Sequence, residues 1–241
     1  MSYENDLQQA ARDSYRRGQL EWALWRWATT PDRLRDAPPA FLARIKRLLE
    51  IDLDIGRAGN KEPEATAFYS ELPKGTGSDV GYSAFNASCL ALGLDLLDAG
   101  FKQREVVSLL RAWRGELKVW FEQVLRSPPV HRGKPLPPSQ RPNCPTYEKD
   151  GQLYADCRIY AVVEKVEMTE VFSGDPNAPA KGKPLIRKPR FCRGIQALAK
   201  ELDGLPYRHR KAVVIEIAHP IEVVINWLAK AEVKKRGRQA A

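Results

Sequence analysis

The sequence predicts an α+β chain in two parts, a mostly helical N-terminal half followed by a small C-terminal α/β half. Three observations carry that reading. Apolar residues recur at helical spacing before residue 127. Seven prolines then fall within SPPVHRGKPLPPSQRPNCP, residues 127–145, and runs rich in aromatic and β-branched residues follow. Proline neither continues a helix nor joins a central strand, so 127–145 reads as an extended linker. It separates a domain over 1–126 from one over 146–232, with a basic tail over 233–241.

Taken in order, GQLEWALWRWATT starts the first helix, with Leu20, Leu24 and Trp27 spaced i, i+4, i+7 on one face. A second helix runs through AFLARIKRLLEIDL, its apolar stripe being Phe41, Ile45, Leu48 and Leu49. TAFYSELPKGTGSDVGYS offers two short strand-like pieces around a Pro/Gly-rich turn, the pattern of a hairpin. One helix is expected over 85–98, a break at Gly100, and another helix from about 103 to 126. On the last of these Val106, Leu110, Trp113, Leu117, Trp120 and Val124 step by 4, 3, 4, 3, 4, the heptad seam of a coiled coil. That seam is more apolar surface than a small domain needs, so a second copy of the chain is the expected partner along it.

Beyond the linker, GQLYADCRIYAVVEKVEMTEVF reads as one long strand or a hairpin. RGIQALAKELDG reads as a helix closed by Gly204 at the position after its C-cap, KAVVIEIA as a buried-type strand, and Pro220 as a first-turn proline leading the helix IEVVINWLAKA. The order β-α-β-α points to a small α/β domain.

Charge is unevenly shared. Residues 1–127 hold 18 Lys/Arg against 18 Asp/Glu, so the net +9 resides in residues 128–241, with 21 basic and 12 acidic side chains. That balance fits a polyanionic partner. No apolar run approaches the roughly 20 residues of a membrane span, and the N-terminus lacks the layout of a secretion signal. Four cysteines without a CxxC pair suit reduced thiols in the cytoplasm. No Walker loop, GxGxxG, HExxH or GxSxG occurs, and His131, His209 and His219 are poorly placed for catalysis. Neither an enzyme, a cofactor nor a metal site is expected.

The stretch from the hairpin to the long helix resembles the MerR family of winged-helix transcription regulators. GYSAF is similar to the family's end-of-wing GYRxY, and LALGLDLLDAGFKQREVVSLL to its xLxxIxxLxxxGFSLxEIxxLL. The resemblance covers about residues 66–126. The family's opening IGELAKxxGVSxxTIRYYE has no counterpart here, and about a dozen residues separate the first two helices. What the resemblance implies is a winged helix-turn-helix domain ending in a long dimerisation helix, and sequence-specific regulation of transcription by a homodimer on double-stranded DNA.

Two helix placements compete for the DNA. In the favoured one AFLARIKRLLE is the recognition helix, because Arg44, Lys46 and Arg47 are of the types that match base edges and phosphates. Lys74 and Ser78 then sit at the wing tip. In the other, the pair around Gly100 meets the backbone through Lys102, Gln103 and Arg104. The run 181–193 has six basic residues and no acidic one, and of these Lys183, Arg187, Lys188 and Arg190 are candidates to lie along phosphates. Two other readings stand beside this one: an interaction or assembly module of a mobile-element or defence system, using the winged domain to bind protein, and an accessory non-specific nucleic-acid binder acting through the basic half. The C-terminal domain is a further candidate to meet another protein.

Overall fold

The structure is a computed structural model and describes residues 3–29, 36–58, 66–71, 73, 80–126, 135, 145–166, 185–186, 189–204 and 211–232. Lys74, Ser78, Lys183, Arg187, Lys188, the tail 233–241 and all of the proline-rich linker except Pro135 and Pro145 lie outside these residues. The described residues are α+β, with seven helices and eight short strands. None of the helices among them is long and apolar enough to cross a membrane. The chain divides into two compact units, one of residues 1–126 and 220–241, the other of residues 127–219.

The first unit holds helices α1 (Tyr3–Arg12), α2 (Arg17–Ala28), α3 (Pro39–Ala58), α4 (Ala84–Asp98) and α5 (Gln103–Arg126), and most of α7 (Ala218–Ala229). At its centre is α4, which packs against α1, α2, α3 and α5. Every residue from Asn86 to Leu94 is buried, as a helix without a polar face must be. Gly93 lies against both α3 and α5: an added Cβ would lie 3.3 Å from Leu110 Cδ1 and 3.4 Å from both Leu48 Cδ1 and Val106 Cγ1. Beyond α4 the chain turns through a Schellman motif. Phe101 N–H donates to Leu96 O and Gly100 N–H to Leu97 O, each at 3.0 Å, with Gly100 at φ +89. Lys102 N–H then donates to the Glu105 carboxylate at 2.9 Å, which caps α5.

The heptad seam of α5 is therefore not a dimer surface. Val106, Leu110, Trp113, Leu117 and Val124 are buried within the chain itself, Trp120 is half-buried, and Phe121 meets Phe85 of α4 edge-to-face at 5.4 Å. The expected wing also differs. Among the described residues no ladder joins 66–73 to 80–83; instead β2 (Tyr82–Ser83) pairs antiparallel with β1 (Ser14–Tyr15). Helix α1 was not expected from its spacing, yet Leu7 and Ala10 are buried and the Tyr15 hydroxyl donates to Ala10 O at 2.7 Å.

The last helix, expected to close the C-terminal domain, belongs from Pro220 onward to the first unit. Aromatic contacts explain this. Trp227 meets Trp22 of α2 at 5.6 Å, the Arg26 guanidinium lies over both rings, and Gln19 Nε2 donates to Ala231 O at 2.8 Å.

The second unit opens with a hairpin of β3 (Thr146–Lys149) and β4 (Gln152–Ala155). Its two-residue turn, Asp150–Gly151, has both φ angles positive, as a type I′ turn requires. The one long strand or hairpin expected from residue 151 on is instead two strands, β4, which pairs back with β3, and a separate β5 (Ile159–Val166). β5 is central to a wholly antiparallel sheet. β6 (Leu185–Ile186) pairs with its end, β7 (Arg190–Arg193) with its start, and β8 (Lys211–Glu216) with most of its length. Since β7 and β8 both run opposite to β5 and share partners on it, they are parallel to each other on either side of it. Helix α6 (Ile195–Asp203) joins them in a split β-α-β unit, so the small α/β domain read from the element order is built on an antiparallel sheet. Tyr160, Val162, Cys192 and Leu198 form the core between this sheet and α6. Gly204 is itself the C-cap of α6, at an ordinary right-handed φ of −73, and not the residue after the cap as expected.

Candidate nucleic-acid interface

Helix α3 buries Ile45, Leu48, Leu49 and Asp52, spaced i, i+3, i+4, i+7, which forces Arg44, Lys46 and Arg47 onto its solvent face. The Arg44 guanidinium reaches the last turn of α4, where Nη1 donates to Asp98 Oδ1 at 2.8 Å. Asp98 lies four residues before Lys102, so the two basic clusters proposed as rival DNA contacts are neighbours on one surface. Lys102 and Arg104 are exposed and Gln103 is half-buried. Lys46 pairs with Glu50 at 3.6 Å within its own helix. Both pairs are well exposed, and such pairs are worth ~0–1 kcal/mol, so a phosphate can displace the carboxylate.

Acidic groups share this face. Glu50 and Asp54 are exposed on α3, and Asp95 sits one turn before Asp98. Burial, and then the charge of Asp98, push the Asp95 carboxyl up to about 6. The face is therefore positive at Arg44, Arg47, Lys102 and Arg104 with a negative border.

Arg190 departs from its expected role. Its Nη2 donates to Glu164 Oε1 at 2.7 Å and its Nε lies 3.3 Å from Glu201 Oε2. Glu164 is buried, and leaving a buried carboxylate without its counterion is strongly unfavourable, which engages Arg190 within its own unit. Arg190 is a structural cation of the second unit.

Two polar clusters escaped the sequence reading. In the first unit Asp52 is fully buried and accepts hydrogen bonds from Ala67 N–H and Phe68 N–H at 2.8–2.9 Å and from Arg111 Nε at 2.6 Å. Arg111 Nη2 also donates to Asp52 O. Arg114 completes the clasp, donating to Ala67 O, Tyr69 O and Asn86 Oδ1 while stacking over Phe85. The signal for it was in the sequence, because Asp52 continues the buried stripe of α3. In the second unit Asp156 accepts from Arg158 Nε and Nη2 at 2.6 and 2.8 Å and from the Ile195 N–H at the start of α6 at 2.7 Å. Arg158 lies against the Tyr147 and Tyr160 rings. Both clusters are internally satisfied and hold segments in place. Cys89 is buried, and burial pushes its thiol up to about 12, which keeps it protonated and inert.

Comparison with protein-family models, with curated proteins and with solved structures gives no match to this chain.

Proposed function

We propose that this protein binds double-stranded DNA and regulates transcription, meeting the duplex with the face shared by α3 and the α4–α5 turn. One observation carries the reading: the Arg44–Asp98 contact joins the exposed cations of α3 to those of the turn, making one surface of two sequence clusters. Arg44 and Arg47 would supply base and phosphate contacts, with Lys102 and Arg104 on the backbone. Two half-sites cannot be spaced by the α5 seam, which is buried.

Fluorescence anisotropy with the protein's own upstream region and a scrambled duplex, across a salt series, tests this. The native fragment should be preferred, and the preference should persist as salt rises. Arg44→Ala and Arg47→Ala should each weaken binding by ~1–3 kcal/mol if they read bases, or lower the salt slope by about 1 if they meet phosphates. Asp98→Asn should tighten binding a few-fold by releasing Arg44. Equal binding to both duplexes, unchanged by these substitutions, would sink the proposal. The acidic border of the face favours a second reading, a protein-docking module, which predicts no duplex preference and a partner lost on Arg44→Ala.

A further inference from the structure

Strand β8 is the edge of its sheet. It pairs with β5 on one side, and among the described residues nothing pairs with the other. Its register shows which groups that edge offers. Ile217 N–H donates to Ile159 O at 2.8 Å, so Ile159 and Ile217 are a hydrogen-bonded pair. In an antiparallel ladder such pairs alternate, so Val213 and Ile215 bond inward to Val163 and Ala161. Ala212, Val214 and Glu216 then turn their N–H and C=O groups outward.

Among the described residues the middle of this edge is unprotected, the one lysine of the strand being Lys211 at its first position. The run Ala212–Ile215 has no lysine, proline or inward charge, the devices by which exposed edges are protected. The flanking surface is apolar too. On α6, Ile195, Ala199 and Leu202 are exposed at i, i+4, i+7, while Glu201 on the opposite flank pairs with Arg190 of β7. The apolar flank therefore looks toward β8. Val214, Ile195 and Leu202 are 39%, 40% and 38% exposed, among the few large apolar side chains so open among the described residues.

We infer that β8 pairs with β8 of a second copy, antiparallel about a twofold axis at Val214. The strand is self-complementary in this register. Val214 bonds Val214 of the other copy in both directions, and Ala212 lies opposite Glu216, so no like charges face each other. The axis stands perpendicular to the sheet, which puts both α6 helices on the same side of the joined sheet, their apolar flanks turned toward the paired edges. This interface is independent of the DNA reading and uses none of its residues.

Sedimentation equilibrium of the full chain over a concentration series reads the interface directly. The wild type should reach twice the chain mass as concentration rises. Val214→Pro should remain monomeric while keeping its circular dichroism spectrum, because the lost N–H points outward. Val214→Lys, a change at an exposed side chain, should do the same and covers the case in which the proline variant fails to fold. A wild type that stays monomeric throughout overturns the inference and leaves the edge to a strand of another protein. A dimer that survives Val214→Lys overturns it equally.

Discussion

Each unit is fastened by a buried aspartate bound to arginine and backbone N–H groups, but the two fastenings differ in reach. Asp52 joins α3 to residues 67–68, fifteen and sixteen positions away, and to Arg111, fifty-nine away. Asp156 takes Arg158, two positions away, and reaches across the unit only through the Ile195 N–H. Arg111 is 13% exposed, whereas Arg158 is 39% exposed. The long-range clasp is dry and closes a fold; the short one is partly wetted and orients a helix start. Identical chemistry therefore carries different energy in the two places, because solvent screens one cation and not the other.

The largest expected effect follows from that difference. Asp52→Ala strands two backbone N–H groups and Arg111 in a dry interior and should cost ~3–5 kcal/mol, read by urea unfolding. Asp156→Ala should cost ~1–3 kcal/mol, since water reaches Arg158. Equal losses would remove the distinction. Next comes Gly194, at φ +84 and ψ 157, a region open essentially to glycine alone. An added Cβ there would lie 3.1 Å from Pro145 Cβ and 3.4 Å from Asp156 Oδ2, so Gly194→Ala should cost ~2–3 kcal/mol. Gly100→Ala, at φ +89 with open space around it, should cost only ~1 kcal/mol. Arg111→Lys should cost ~1–2 kcal/mol, because an ammonium does not reproduce the two directed bonds to Asp52. Arg158→Lys should cost under ~1 kcal/mol.

Acid should separate the units further. Burial alone would raise the Asp156 carboxyl, but hydrogen bonds from Arg158 and the Ile195 N–H outweigh it and hold the group below its ordinary value. Its contribution is present above the unfolded value of ~3.9 and fades as pH falls through the lower folded one. Asp95 behaves oppositely. With the folded group raised to about 6, the folded state binds the proton more tightly, so the first unit gains stability between pH 7 and 4. Thermal melts at pH 7, 5 and 3 should show the gain first and the loss later, and Asp95→Asn should abolish the gain alone.

Local spacing made much of the first unit legible. The stripes of α2 and α3 and the break at Gly100 follow from residues within one or two turns of each other. The α5 seam shows the limit of such reasoning, since a 4-3-4 stripe identifies a buried face without saying what buries it. The answer lay in α4, whose run AFNASCLALGL has no polar side and needs covering all round. The strand pair β1–β2 was hidden for another reason: Ser14 and Ser83 are too far apart in sequence for any local pattern to join them. The Asp150–Gly151 turn is a two-residue signal between strands of only four residues each, too short for an alternating pattern to mark them. On the candidate face, the exposure of Arg44, Lys46 and Arg47 was legible from the stripe they avoid. The ion pairs of Arg190 were not, because its carboxylates come from β5 and α6.

The return of the chain to its first unit at Pro220 bears on the order of synthesis. Residues 127–219 are contiguous and can complete their unit as they emerge. The first unit must wait for Trp227 to meet Trp22 and Arg26, ~5–20 s after its fifth helix is made, at ordinary translation rates. During that interval the Trp22 indole lacks the Trp227 ring, and a nascent chain halted before residue 220 should leave it more open to solvent.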